Sequence, residues 1–304
     1  MRVLTPYLGN VLVGVECMHC WYWVSDFCEA HQIDFILGHA LYMKAIHAGK
    51  TKNDKIDALK IAKLIRGGNF PLAHAYPKAQ RAIRDALRRR THIMRMGAQL
   101  KAHVSATISQ YNLPAPDKRL NLTYAKDREM MRHYFPEDAV QKSMNLNVNI
   151  LDCMLHEIHA IEWYVHKNAC YHSGRDYKLL QTFRGMGKIL SLTILYEIGD
   201  IQRFPRVQQF ASYARLVKCK AESAGKSYGT QGNKIGNAHL KWAFSEVAVQ
   251  YLKNNDKAKR YLAQLQKRMS KAKALSALAH KIGRCIYFML KNQQVFDEAR
   301  FLKG

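Results

Sequence analysis

The sequence predicts an α/β first domain followed by mainly α-helical segments. Three patterns carry that expectation. Before residue 70, two short apolar runs alternate with two amphipathic stretches, the order that builds a parallel or mixed sheet covered by helices. From Pro77 onward the chain reads as helical, with Arg81, Arg84, Arg88 and Arg95 at helical spacing and apolar residues every three or four positions from Ile150 to Val165. Prolines and a Gly-rich basic stretch then divide the chain, with segment boundaries placed at 1–112, 113–176 and 177–304.

Taken in order, Asn10 to Val15 is a short apolar run that reads as a buried strand. Cys20 to His31 reads as a helix with Trp21, Val24 and Cys28 on one face. Asp34 to Leu37 is a second strand and Asn53 to Arg66 a second helix. Between Pro77 and Tyr111 there is one glycine and no further proline, so one long helix is expected. Pro114, Pro116 and Pro136 interrupt the pattern. It resumes from Asn147 to Lys167, where Ile150, Met154, Ile158, Ile161 and Val165 form a stripe fit for a core face or a coiled-coil seam. Leu179 to Ile189 holds Gly185-Met186-Gly187 between two apolar stretches, and Ile198 to Pro205 makes a turn. A Gly-rich basic loop is expected from Ser223 to Asn237. Helices follow over His239–Tyr251, Ala258–Ser270 and Ala272–Lys291.

Charge narrows the partners. The 304 residues carry 48 Lys and Arg against 23 Asp and Glu, a formal net charge of +25. Such a chain repels cationic ligands and attracts polyanions, meaning nucleic acid or an anionic membrane surface. No run approaches the ~20 apolar residues of a membrane span, so no membrane partner is expected. Hydrophobic residues make up 48%, which excludes a disordered polycation. Seven cysteines, an odd count in a long chain, argue against a disulfide scaffold. A reducing, cytoplasmic setting is the expectation.

Several residues could carry chemistry. Glu16 ends the first strand, on the side of a sheet where ligands bind. Asp54 and Asp57 lie three apart in the first turn of the second helix, on the face continued by Ala58, Ile61 and Ile65. Two inward carboxylates need a counter-charge. Lys50, Lys52 and Lys55 offer one; a bound Mg²⁺ (or Mn²⁺) offers another, and with Glu16 the metal reading is favoured. In the Gly-rich loop, Gly225 and its fellow glycines let backbone N–H groups approach phosphates, Lys226 and Lys234 add charge, and Ser223 supplies a hydroxyl. The loop lacks the spacing of a Walker A motif. Gly185 and Gly187 suit either a helix-hairpin-helix that grips a DNA backbone or a plain αα-hairpin. The stripe Arg81, Arg84, Arg88 and Arg95 is placed as a nucleic-acid surface, together with Lys188, Asn237 and Lys241. Cys17 and Cys20 invite a zinc reading, but no second pair follows.

These residues resemble a known family. Lys50-Thr-Lys-Asn-Asp-Lys-Ile-Asp-Ala58 resembles the Asp-x-x-Asp-Ala helix of the insertion-sequence-110 family of bacterial transposases. Val11 to Trp23, with Glu16, is similar to that family's second catalytic strand, and Gly38 to Ile46 to the segment between. Glu222 to Lys226, followed by Lys234 to Glu246, is similar to the signature of its C-terminal domain. The resemblance implies an RNase H-like, RuvC-type domain with an Asp-Glu-Asp-Asp metal site. It further implies a helical connector and a helical transposase domain with a nucleophilic serine. It also implies transposition by DNA strand exchange under a structured guide RNA, in a dimer or tetramer. Carried across, Glu16, Asp54 and Asp57 become metal ligands and Ser223 the nucleophile. Because no acidic residue precedes Glu16, the RuvC-type domain is expected to be incomplete at its N-terminus and recombination weak. The rival expectations are a RuvC-like nuclease that uses water, and a non-catalytic RNA-binding remnant.

Overall fold

The computed structural model describes residues 2–46, 53–114, 116, 120–169, 174–231 and 235–303. The chain forms two compact units, Met1–Arg81 and Ala82–Gly304.

The first unit is the expected strand–helix alternation. After a single 3₁₀ turn, Thr5–Tyr7, come β1 (Leu12–Glu16), α1 (Trp21–Ala30), β2 (Asp34–Gly38), α2 (Ala40–Ile46), α3 (Asp54–Arg66) and β3 (Leu72–Ala73). The sheet order is β1-β2-β3. β1 and β2 are parallel, with Glu16 opposite Gly38, and β2 and β3 are antiparallel. Helix α2 and strand β3 have no counterpart in the sequence reading. β3 is two residues long, too short for any periodicity to show. Trp21, Leu37 and Tyr76 form the small core. Helix α3 lies against β1, where a methyl group on Gly14 would collide with Ile65.

Helix α4 (Lys78–Gln110) starts in the first unit and belongs mostly to the second. Then come α5 (Ala125–Met131), α6 (Asp138–Ala169), α7 (Gly174–Gln181), α8 (Lys188–Ile198), a 3₁₀ turn at Ile201–Arg203 and α9 (Val207–Tyr213). β4 (Cys219–Ser223) and β5 (Lys226–Gln231) form an antiparallel hairpin. α10 (Ala238–Leu252), α11 (Asp256–Gln266), α12 (Lys271–Asn292) and α13 (Glu298–Lys303) complete the chain. The long helices expected from periodicity are present within a few residues, except that α6 begins at Asp138, well before the expected Asn147. Among the described residues, no helix is long and apolar enough to cross a membrane.

The expected divisions at 112 and 176 do not coincide with the compact units. One large core takes Ile83 and Leu87 from α4, Val165 and Ala169 from α6, and most of the apolar faces of α7 to α13. A smaller core holds the far half of α4 against α5 and α6, through Val104, Ile108, Met131 and Val148. The ends of both long helices are therefore built into the same core as the C-terminal helices. On α6 the buried stripe runs through Met144, Val148, Leu151, Ile158 and Val165, while Ile150 is exposed. The seam lies one position off the expected one at its N-terminal end.

Helix α8 is the centre of this unit. Every residue from Ser191 to Ile198 is buried, as expected of a helix surrounded by others. That run includes one carboxylate, Glu197.

Candidate functional site

The Gly-rich segment expected as a loop is in part a hairpin, which corrects the sequence reading. Ser223 is the last residue of β4 and Lys226 the first of β5, paired in register. Ala224 and Gly225 alone form the turn, with φ of 50° and 75°. Positive φ at both central residues is the type I′ geometry that matches strand twist. Ser223 and Lys226, paired across the strands, leave the same face of the hairpin, and both are exposed. The structure thus presents a hydroxyl beside a primary ammonium at the tip of a two-stranded arm. Lys234 lies outside the described residues.

Past the hairpin, the chain is anchored tightly. Gly236 has φ of 91°, and a Cβ there would sit 2.6 Å from the Tyr213 carbonyl oxygen. Asn237 is buried and caps α10, its Oδ1 accepting the backbone N–H groups of His239 at 2.9 Å and Leu240 at 3.1 Å. Its Nδ2 donates to Glu197 Oε2 at 2.7 Å. The expected nucleic-acid role of Asn237 is corrected: cap and carboxylate leave its amide engaged inside the protein.

Glu197 also takes Arg84 and Arg88. Arg88 donates Nε to Oε1 at 2.5 Å and Nη2 to Oε2 at 2.9 Å, and Arg84 donates Nε to Oε2 at 3.1 Å. Burial would push the Glu197 carboxyl up. The Arg88 hydrogen bond, the charges of Arg84 and Arg88 and the Asn237 amide outweigh it and hold the carboxyl below its ordinary range. Nearby, burial lowers His239, with Arg88, Arg95 and Arg84 acting the same way against Glu197.

The arginine stripe is therefore mostly structural. Arg81 is 5% exposed. Its Nε donates to the Tyr76 carbonyl at 2.7 Å and its Nη1 to Asp26 at 2.6 Å, while its guanidinium stacks over Trp21. Arg84 is buried and Arg88 half-buried against Glu197. Of the four, only Arg95 is exposed. Sequence spacing places four arginines on one helix, but acids distant in sequence claim three of them.

Gly185 has a packing role. Its φ is 89°, and a Cβ there would lie 2.7 Å from the Tyr251 nitrogen at the end of α10. Gly187 is the N-cap of α8, with no side-chain cap and nothing within 4 Å of an added Cβ. Lys188 and Lys241 are exposed. An open cleft lined by Gly185, Met186, Gly187, Leu190 and Gln250 lies at the α7–α8 turn.

The carboxylates do not assemble a metal centre. Glu16 is half-buried at the end of β1. Asp54 is exposed, and Asp57 pairs with Lys60 at 3.7 Å. Helix α3 has no buried residue, and Ala58 is exposed, so the inward-facing pair expected from spacing is corrected. Asn53 caps α3 through Lys55 N–H, placing both aspartates at the positive end of the helix dipole, which accounts for them locally. Among the described residues, no three His, Cys, Asp or Glu side chains converge as a metal site. The three residues do not fit a divalent ion by themselves. The same holds for zinc at Cys17 and Cys20, neither of them in a disulfide; Cys28 is buried core.

The signal that sequence reading missed is Glu197. An acidic residue in an otherwise apolar helix, Ile189 to Ile198, marks a buried counter-charge.

Parts of the chain are similar to known proteins. Residues 3–113 match the model of DEDD transposases of IS110 type, and residues 177–263 match that of the transposase IS116/IS110/IS902 family. The chain is 23% identical over 257 residues to the transposase for insertion sequence element IS1111A of Coxiella burnetii. The alignment covers 81% of this chain and 68% of that protein. It is also 23% identical over 202 residues to a transposase designated y4qE of Sinorhizobium fredii. That alignment covers 66% of this chain and 48% of the relative, so the chain spans about half the length of the latter. Two matches to transposase families thus lie in succession along the chain, over residues 3–113 and 177–263.

Proposed function

We propose that the chain cleaves and rejoins DNA as a transposase of an insertion sequence, with Ser223 as its nucleophile. One observation carries this reading: an exposed serine stands at a tight hairpin tip, cross-strand from Lys226, inside the segment matched to the transposase family. The Ser223 Oγ attacks the phosphorus of a backbone phosphodiester. An Oγ–P bond forms and the bond from phosphorus to one sugar oxygen breaks. The serine proton passes to water and the departing oxygen takes one up. A hydroxyl of a second strand then attacks the phosphoserine, restoring Ser223 and sealing the new junction. Lys226 stabilises the charge that develops on the phosphoryl oxygens.

DEDD transposases use divalent metal in general, but Glu16, Asp54 and Asp57 do not by themselves make a Mg²⁺ (or Mn²⁺) site, and the cleavage step is written without one. DNA is the proposed substrate. A structured guide RNA and self-association are proposed with it, on the family resemblance and the charge of +25. The exposed Arg95, Lys188, Lys226 and Lys241 supply phosphate contacts.

The test is trapping of the covalent intermediate. With labelled element-end DNA, a protein–DNA adduct stable to denaturant is expected. Ser223→Ala should abolish it and Ser223→Cys should retain a reduced amount. An adduct that persists in Ser223→Ala sinks the serine reading. Cleavage without any adduct favours hydrolysis by water.

A further inference from the structure

Outside both family-matched segments, the outer face of α12 and the start of α13 border an open cavity of about 880 Å³. That lies in the range of about 300–1,000 Å³ usual for small-ligand clefts. Its chemistry is mixed in a particular way. Lys281 and Arg284 enter from α12 and Arg300 from α13, against a single carboxylate, Asp297. Asp297 Oδ1 already accepts the backbone N–H of Arg300 at 3.0 Å. Among the described residues, neither Arg284 nor Arg300 has a carboxylate partner. This contrasts with Arg81, Arg84, Arg88, Arg90 and Arg128, which all do. Lys281 is held in place over the rings of Tyr261 and Phe301. The apolar side of the same cavity is Phe288, 44% exposed on a helix whose neighbours Tyr287 and Met289 are buried. The fields of Lys281 and Arg300 both reach Cys285 in the cavity wall and oppose the rise that burial gives its thiol.

Unpaired guanidinium groups beside an exposed aromatic ring suit one ligand class. A guanidinium pairs with phosphate through two parallel hydrogen bonds. An exposed ring stacks on a base, and stacking tolerates any base. We infer that the cavity between α12 and α13 binds one unstacked nucleotide of a single-stranded nucleic acid, its phosphate held by Arg284 and Arg300 and its base laid on Phe288. The inference rests on the nucleic-acid part of the reading above but not on Ser223. Single strands arise whenever DNA is opened for exchange, and such a pocket would hold one of them aside.

The experiment uses the whole protein and a thymine oligonucleotide carrying one iodouracil. Irradiation, digestion and mass spectrometry locate the crosslink. An adduct is expected in the peptide containing Phe288, with its yield lowered on the order of tenfold in Phe288→Ala. Arg284→Gln with Arg300→Gln should lower affinity for the unmodified oligonucleotide on the order of tenfold and flatten its salt dependence. Lys142→Gln, an exposed change on α6, should do neither. The crosslink map on the unaltered protein decides the matter if a variant fails to fold. Adducts lying wholly outside residues 281–301, or an affinity unchanged in the folded double variant, overturn the pocket while leaving the transposase reading intact. No oligonucleotide binding at all overturns both.

Discussion

Arg88 on α4 and Glu197 on α8 share two hydrogen bonds, at 2.5 and 2.9 Å, although 109 residues separate them. Arg84 and Asn237 complete the shell around the same carboxylate. One buried acid thus ties the long helix that ends the first family-matched segment to the cap of α10, just beyond the serine hairpin. Removing one partner of such a group strands the others without compensation. Glu197→Ala is expected to destabilise the second unit by roughly 3–5 kcal/mol, with Glu197→Gln milder. Urea unfolding followed by circular dichroism checks it, and a midpoint unchanged in Glu197→Ala would refute the anchoring role.

Acid should loosen the same network in two stages. His239 is held below its ordinary value of 6.5. The unfolded chain therefore takes up a proton first, and stability falls as pH drops below 6.5. His280, also lowered by burial with help from Arg284, contributes in the same window. Glu197 is held below its ordinary value of 4.5, so its contribution is complete above that value and lost as pH falls further. Melting temperatures taken from neutral to acid pH should show both stages. His239→Gln should flatten part of the first stage, and Glu197→Gln the second. Superimposable curves for all three proteins would count against this assignment.

The α7–α8 turn offers a paired comparison. Gly185→Ala puts a methyl group 2.7 Å from the Tyr251 nitrogen at a φ of 89°. A loss of about 1–3 kcal/mol is expected from backbone strain alone. Gly187→Ala meets nothing within 4 Å and should stay within about 0.5 kcal/mol of the parent. Thermal melts of the two variants should differ clearly, and equal melts would mean that Gly185 does not pack as described.

At the hairpin, Ala224 sits at φ 50°, a region that favours glycine or asparagine. Ala224→Gly is expected to slow hydrogen exchange of the amides of β4 and β5 without moving the global melting temperature. Faster exchange would argue against a type I′ turn.

The exposed and buried arginines should separate in binding. Arg95→Gln should reduce DNA affinity and lower the slope of log affinity against log salt by about 0.9. Arg81→Gln, which loses the Asp26 and Tyr76 bonds, should lower the melting temperature and leave the salt slope unchanged. The reverse pattern would return Arg81 to the nucleic-acid surface.

The local order of elements follows from the amino-acid pattern alone. β1, α1, β2 and α3 were legible because apolar runs and amphipathic stretches have different periods, and α4, α6, α10 and α12 because long helical periodicity has no rival reading. The net charge and the Ser223 segment were legible for the same local reasons. The hairpin was not, since Lys-Ala-Glu-Ser and Lys-Ser-Tyr-Gly-Thr alternate weakly and Ala-Gly is a poor turn signal beside Asn-Gly. Pairing partners were not legible either. Whether Arg84 and Arg88 face phosphate or a carboxylate depended on Glu197, more than 100 residues away. Whether Asp54 and Asp57 face a metal depended on which side of α3 meets β1. Tertiary structure decided both, because a charge's role is set by what surrounds it once water is excluded, and no local spacing encodes that.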